Sequence, residues 1–143
     1  MEHVAIMQKS WGLTQKILDG RKTIESRWYA VRHKPWDVVQ AGETIYFKDA
    51  GQLATIRAEA EKVLQFVDLT PKRVGEILEK YGEKDGIEKA DVSKFLKKFK
   101  DKNYCVLIFL KNPRKIKPFN INKSGFGAMS AWITVDSVSK IKK

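Results

Sequence analysis

Most hydrophobic residues of this chain are arranged as in β-strands. Six stretches have this pattern, at residues 3–8, 22–28, 43–50, 53–69, 104–119 and 131–136. The fourth is ambiguous, because its alanines and glutamates favour a helix whereas its β-branched and aromatic residues favour a strand. We predict a long, bent strand there, since the strands on either side of it need a partner. Pro113 is expected to stop or bend the fifth strand.

Helical spacing of apolar residues occurs in two regions. The first lies between Ser10, which we predict as an N-cap, and Gly20, which we predict as the C-cap. The second begins with Thr70 as a cap and Pro71 at the first helical position, and it continues with another helix from Asp91.

These elements occur without an internal repeat and without a linker. They predict a single domain over residues 1–143, with a helical insertion at about residues 70–102. Because strands dominate and helices gather in two places, we predict the α+β class with a mixed or closed sheet.

The net charge of +11 lies entirely in the last third of the chain. Residues 1–93 contain 15 basic and 15 acidic side chains, whereas residues 94–143 contain 13 basic and two acidic ones. Such a concentration of positive charge in one part of the chain attracts polyanions, and it is typical of proteins that bind nucleic acids. The alternative is a lysine-rich surface that serves solubility.

Other function classes find little support in the composition. Cys105 lies in an apolar run and is expected to be a buried, inert thiol. His3 and His33 are far apart and lack partner spacing, so we predict no metal site and no cofactor. No apolar run has the ~20 residues of a membrane span, and the N-terminus does not resemble a signal peptide. We therefore expect a cytoplasmic protein, without a membrane partner and most simply a monomer.

The segment ILDGRKTIESRW, residues 17–28, places three long charged side chains in a predicted strand. One interpretation is an edge strand, in which Glu25 and Arg27 form an ordinary surface pair worth ~0–1 kcal/mol. The other is a cavity edge, because the charges follow Gly20 at the junction of a helix and a strand. If their face lies inside a small barrel, the charges must be paired.

The spacing G-x-K-x-x-E-x-R, formed by Gly20, Lys22, Glu25 and Arg27, resembles the signature of the ASCH domain, a family of the PUA-like superfamily. The order of strands and helices around it is similar too. The resemblance implies a small PUA-like β-barrel of five to six strands with flanking helices, and a cleft that binds RNA or modified nucleotides. Gly20 is then expected to permit the turn, Lys22 to face the cleft, and Glu25 with Arg27 to form its charged wall.

The same residues have a direct chemical interpretation. Lys22 and Arg27 can hold a phosphate, and Glu25 can orient Arg27 or accept a hydrogen bond from a base. Trp28 and Trp11 can supply a stacking face, as the recognition of single strands requires, although a tryptophan beside an apolar strand is more often part of the core. We place Ser10 with them in the candidate ligand-binding set.

The excess lysines provide candidate contacts to the nucleic-acid backbone. These are Lys94, Lys97, Lys98, Arg114, Lys115, Lys117 and Lys123. The loop at 122–132 could bring backbone amides near Gly125 and Gly127 to a phosphate, although a tight turn before the last strand explains the glycines equally well. We therefore predict an RNA-binding protein whose partner is a single-stranded or structured RNA.

Two alternatives remain open at this point. Some proteins of the family are amidohydrolases that act on an acetylated cytidine. This resemblance makes Lys22 and Glu25 candidate catalytic residues and a modified nucleoside a second candidate ligand. The sequence departs from that branch, because Glu25 stands where it has a threonine, and the pattern does not decide whether Glu59 or Glu61 lines the cleft. The third hypothesis is a protein-interaction module that uses the helices at 71–100.

Overall fold

The computed structural model describes residues 1–143 and contains six strands and three α-helices. In chain order these are β1 (Glu2–Met7), α1 (Leu13–Leu18), β2 (Ile24–Tyr29), β3 (Thr44–Asp49), β4 (Ala54–Phe66), α2 (Pro71–Tyr81), α3 (Val92–Phe99), β5 (Tyr104–Phe119) and β6 (Trp132–Val135). Short 3₁₀ turns occur at Lys9–Trp11, Lys89–Asp91 and Val138–Lys140. None of the helices combines the length and apolar character needed to cross a bilayer.

All six strands belong to one sheet with the order β2-β5-β4-β3-β1-β6. β1 and β3 are parallel, and every other neighbouring pair is antiparallel. Register shifts interrupt the long pairing of β4 with β5, and such bulges bend and twist a sheet. The sheet curls around an interior core of 13 buried residues, among them Phe47, Ile108 and Trp132. This half-barrel with flanking helices confirms the predicted α+β, PUA-like fold class.

The helical segment between β4 and β5, which contains α2 and α3 and which we call the insertion, packs against β2 and β5. Its core combines Val74, Ile77 and Leu78 of α2 and Phe99 of α3 with strand residues that include Cys105. Cys105 is fully buried, and burial raises the pKa of its thiol far above the ordinary range, so the expectation of an inert cysteine holds. The insertion therefore lies beside β2, the strand that carries the charged motif.

Several sequence predictions are confirmed in detail. The ambiguous segment is a strand of 13 residues, β4. α2 begins at Pro71, and the Thr70 side chain accepts a hydrogen bond from the Arg73 amide at 3.2 Å, as expected of an N-cap. The second helix of the insertion starts one residue after Asp91.

Two boundary predictions are wrong. Ser10 is not a helix N-cap, because it lies inside the 3₁₀ turn, and Gly12 at φ +63° begins α1 instead. α1 ends with Asp19 as its C-cap, one residue before Gly20. The left-handed Gly12 breaks the segment, so the apolar period across 10–20 does not form one continuous helix.

Pro113 does not end β5, which continues to Phe119. In the ladder with β4, Glu59 pairs with Lys111 and Arg57 pairs with Arg114. The register shift leaves positions 112 and 113 outside the pairing, so the missing N–H of the proline costs no ladder hydrogen bond.

Candidate functional site

The sheet leaves an open seam, because β2 and β6 are its two outer strands and do not pair with each other. The side chain of Arg27 crosses this seam. Its Nη1 donates to the carbonyl of Ala131 at 3.2 Å, and its Nη2 donates to the carbonyl of Ile6 at 3.3 Å. A side chain thus joins β2 to the β1–β6 edge where backbone pairing is absent, and the principal cleft opens at this point.

The cleft has a volume of about 600 Å³, which lies in the range of small-molecule sites. The lining comes from several parts of the chain, among them the 3₁₀ turn after β1, the strand β2, the loop after α2, the end of α3 and the loop that precedes β6. Aromatic, cationic and two acidic side chains face the same space. Among the lining residues are Trp11, Lys22, Glu25, Arg27, Trp28, Asp85, Phe95, Lys98, Lys102, Lys123 and Ser130.

Lys22 is held at the floor of the cleft with only 1% of its surface exposed. Its ammonium donates to the Ile24 carbonyl at 2.7 Å and to Asp85 twice, at 2.7 Å to the carbonyl and at 2.5 Å to the carboxylate. These contacts use all three of its protons. Burial lowers the pKa of Lys22, but the charges of Asp85 and Glu25 outweigh burial and raise it overall, so the group is a fixed cation.

Glu25 lies between the two cations of the motif and is 3% exposed. Its Oε1 is 3.2 Å from Nζ of Lys22, and its Oε2 accepts from Nη2 of Arg27 at 2.9 Å. Burial raises the pKa of this carboxyl, but the two cations outweigh burial and lower it overall. The charged wall implied by the motif is therefore a paired network, as a buried set of charges requires.

Asp85 completes the network from the loop after α2. Its Oδ1 accepts from Lys22, and its Oδ2 accepts from the hydroxyl of Ser26 at 2.5 Å. Burial raises the pKa of this carboxyl; Lys22 opposes the rise and the charge of Glu25 adds to it. The two carboxylates of the cleft thus have pKa values displaced in opposite directions.

Aromatic rings build one side of the cleft. Trp28 stacks on Phe99 with ring centroids 4.8 Å apart and planes 6° apart, and it is only 8% exposed. Trp11 is partly exposed, meets the edge of Phe95 at 5.5 Å, and carries the ammonium of Lys98 4.2 Å above its ring. Trp11 is therefore more accessible than Trp28.

Cations form the rim of the cleft. Lys98 and Lys102 lie at the end of α3, and Lys123 lies in the loop on the opposite side. Lys123 donates to the carbonyls of Ala128 at 2.9 Å and Ser130 at 3.0 Å, so it also fixes the shape of this loop.

The structure brings together only part of the residues predicted from sequence. Lys22, Glu25, Arg27, Trp28, Trp11, Lys98 and Lys123 line the one cleft. The others, which lie outside this lining, are Ser10, Gly20, Lys94, Lys97, Arg114, Lys115 and Lys117.

Two of these outlying groups have a clear place in the fold. Gly20, at φ +84°, lines a separate charged depression of about 530 Å³, together with residues such as Lys84 and Glu88. Arg114, Lys115 and Lys117 are exposed on the second half of β5.

Neither glutamate of β4 lines the cleft. Glu59 accepts a hydrogen bond from Nδ2 of Asn112 at 2.8 Å, and Glu61 is exposed. The second acid is instead Asp85, which sequence reasoning missed along with Ser26 and Lys102. Asp85 comes from a polar loop 60 residues after Glu25, and nothing local in the sequence marks it. Within residues 1–143, no group of three or more His, Cys, Asp or Glu side chains is arranged to hold a metal ion.

Comparisons with known proteins agree on the fold. No protein-family model and no curated protein matches the sequence. The solved ASCH structure from Zymomonas mobilis aligns with a TM-score of 0.67 at 16% identity, over 94% of this chain and 87% of that chain. A mutant of the same protein aligns with a TM-score of 0.70 at 16% identity, over 97% and 93% of the two chains. A protein from Enterococcus faecalis V583 aligns with a TM-score of 0.52 at 14% identity, over 70% and 66%. The chain therefore has the fold of the ASCH proteins.

Proposed function

We propose that this protein binds RNA and seats one unstacked nucleotide in the seam cleft. The proposal rests on one observation: aromatic side chains, a floor of mutually hydrogen-bonded charged groups and a rim of lysines surround the same space of about 600 Å³. Recognition of single-stranded RNA uses this combination, because a splayed base stacks on aromatic rings while lysines hold the phosphates.

The charge balance of the cleft favours an anionic ligand. Its only acids, Glu25 and Asp85, are paired with Lys22 and Arg27. The three rim lysines, Lys98, Lys102 and Lys123, face no carboxylate of the cleft. Their charge is available for phosphates, and it adds to the positive field of the last third of the chain.

The stacking role belongs to Trp11 in this proposal. One face of Trp28 is covered by Phe99, and its indole N–H donates a hydrogen bond to Oγ of Ser26 at 3.0 Å. Trp11 has more exposed surface, and its position under Lys98 places an aromatic face directly beside a phosphate-binding cation. The ASCH fold supports the same proposal, because the resemblance of the motif implies a cleft for RNA or modified nucleotides.

The test compares the RNA affinity of two double variants. One replaces two lysines of the cleft at the end of α3, and the other replaces two lysines of α3 outside the cleft. Fluorescence anisotropy would measure the affinity for a labelled single-stranded RNA of mixed sequence, with duplex RNA and DNA as comparisons, at several salt concentrations. Replacing Lys98 and Lys102 with alanine is expected to weaken binding and to reduce the slope of log affinity against log salt by about 1.4, at ~0.7 per phosphate contact.

The matched control replaces Lys94 and Lys97, two exposed lysines of α3 outside the cleft, and so removes the same charge. If RNA binds in the cleft, replacing this pair should reduce the RNA affinity less than replacing Lys98 and Lys102. Equal losses for both pairs would mean that the surface binds RNA without the cleft, and affinity that is flat with salt would contradict phosphate contacts altogether.

An amidohydrolase is the second candidate, favoured by the contact of Ser26 with Asp85. Lys22 is a poor general base, because its pKa is raised and its protons are occupied. Ser26 is the better nucleophile: its Oγ would attack the acyl carbon while its proton passes to Asp85, which returns it to the leaving amine, and water would then release the acyl group. Turnover of acetylated cytidine by the wild type, lost in Ser26→Ala, is expected for this function. No turnover by the wild type excludes it for that substrate.

A further inference from the structure

Lys48 is a buried lysine without a partner. It lies near the end of β3 and is 6% exposed, and its ammonium makes no hydrogen bond or ion pair with any group of the chain. The carboxylate of the neighbouring Asp49 accepts a hydrogen bond from Thr14 at 2.6 Å and forms no ion pair with Lys48, although its charge acts on the ammonium. The ammonium keeps some contact with solvent. Only one polar side-chain atom is both fully buried and without a partner, and it is Nε1 of Trp36, not Nζ of Lys48.

A second cation lies near it. Burial lowers the pKa of Lys48 from its ordinary value and the nearby charge of Lys123 lowers it further, whereas the charge of Asp49 opposes both. A buried charge normally forms an ion pair, but no carboxylate lies within ion-pair distance of Lys48 or Lys123, so the repulsion between the two cations is only partly compensated. This arrangement costs stability in the free protein, and an anion would relieve it.

The loop around Lys123 offers further donors. Two of the three Lys123 protons go to the carbonyls of Ala128 and Ser130, which leaves the third free. The amides of Gly125 and Gly127 donate to no group of the chain, and no atom crowds either glycine. Both glycines have positive φ values, 87° and 89°, a backbone conformation that L-residues rarely adopt.

This group of donors adjoins the cleft. Lys48 is paired in register with Ile6, a residue that lines the cleft, and it is two positions before Ala50, which lines it as well. Lys123 is itself part of the lining. An anion held here would lie at the β1–β6 side of the cleft, across from Lys98 of α3 and from Lys102, which follows that helix.

We propose that Lys48 and Lys123, together with the amides of the Gly125–Gly127 loop, form a phosphate subsite at the edge of the cleft. The inference rests on the proposed function, since it places one phosphate of the bound nucleotide on the side of the cleft opposite to α3. Lys48 provides a cation whose stem is buried and whose ammonium lacks a partner, and Lys123, which lines the cleft, provides the second cation.

The test uses inorganic phosphate as the probe. Thermal unfolding of the wild type is measured in phosphate and in chloride at equal ionic strength, and phosphate is expected to raise the midpoint, because a ligand that binds only the folded state stabilises it. In Lys48→Met, which keeps the apolar stem and removes the charge, this rise should vanish. The same variant in chloride should be at least as stable as the wild type.

The control is Lys117→Met, which removes an exposed lysine of β5 and should retain the full phosphate effect. A phosphate-dependent rise that persists in Lys48→Met would overturn the subsite, and so would the absence of a rise in the wild type. A large loss of stability of Lys48→Met in chloride would show that the charge has a partner, which also contradicts the proposal.

Binding of RNA separates this inference from the proposed function. The affinity of Lys48→Met for single-stranded RNA should fall by at least about tenfold, the loss expected for a charged hydrogen bond. If the phosphate effect is present but RNA does not bind, the subsite stands and the proposed function fails. If RNA binds through Lys98 and Lys102 with no dependence on Lys48, the proposed function stands and the subsite fails.

Discussion

Nζ of Lys22 donates to both the carboxylate and the backbone carbonyl of Asp85, at 2.5 and 2.7 Å, although 63 positions separate the two residues in the chain. The contact fastens the turn before β2 to the loop after α2. The packing around it is close, because a Cβ on Gly86 would lie 3.2 Å from Cβ of Lys22. The lysine of the motif is therefore first of all a structural cation of the cleft floor.

Replacing Lys22 with methionine should destabilise the protein by about 3–5 kcal/mol, because Glu25 and Asp85 would remain as buried carboxylates without their shared cation. Urea unfolding measures the change. Lys97→Met, an exposed lysine on α3, should alter stability by less than about 0.5 kcal/mol. A folded, fully stable Lys22→Met would show that the network tolerates an uncompensated charge, contrary to its burial.

The two carboxyls of the floor should titrate on opposite sides of their ordinary pKa values. The pKa of Glu25 is expected below 4.5 and that of Asp85 above 3.8. Glu25 therefore contributes stability that is present above pH 4.5 and is lost as the pH falls through its lowered pKa. Asp85 contributes stability at low pH that is lost as the pH rises through its raised pKa. Carboxyl ¹³C chemical shifts followed over pH measure both values, and equal, unshifted titrations would refute the network.

Arg27→Lys should open the seam. A lysine keeps the charge beside Glu25 but cannot also reach the carbonyls of Ile6 and Ala131, which the planar guanidinium contacts from two nitrogens. We expect a loss of roughly 1.5–3 kcal/mol in stability, typical of a charge-assisted hydrogen bond. Faster amide hydrogen exchange at Ile6, whose N–H donates to Ala131, would locate the loss at the seam. Arg114→Lys, on exposed β5, serves as the control and should leave this exchange unchanged.

Trp11→Ala should weaken RNA binding by about 1–3 kcal/mol, the usual contribution of one stacked base. Fluorescence anisotropy measures the affinity, and quenching of indole fluorescence on binding should decrease in the same variant. Trp36→Phe is the matched control, since Trp36 packs against Tyr104 away from the cleft. Quenching that survives in Trp11→Ala would transfer the stacking role to another ring.

Local sequence patterns predicted the helices and strands well where interactions between residues close in the chain determine them. Thr70 and Pro71 begin a helix because a cap and a fixed φ act within one turn, and the β-branched residues of β4 were sufficient to predict a strand. The prediction of a continuous helix between Ser10 and Gly20 was wrong, because the left-handed Gly12 divides the segment. Pro113 was tolerated because of a register shift in a partner strand, which no local pattern contains.

The candidate site shows the same division. Glu25 and Arg27 could be paired from sequence alone, since residues two apart on a strand share a face. The partner Asp85 could not be predicted, because a loop after α2 reaches β2 only when the insertion has packed on Trp28, Cys105 and their neighbours. The lysines of the 94–102 segment also look alike in the sequence. Only the folded structure shows that Lys98 and Lys102 line the cleft, whereas Lys94 and Lys97 lie outside it.

Periodicity, capping and net charge are properties of neighbouring residues, and they were sufficient to predict the class of fold, the segment that carries the charged motif and the sign of the field around it. Which charges meet, which tryptophan is accessible and which lysine lacks a partner depended on the packing of the whole chain. Those outcomes depend on how a curled sheet brings together β2, the β1–β6 edge and the helical insertion, and contacts over such distances in the chain are fixed by packing.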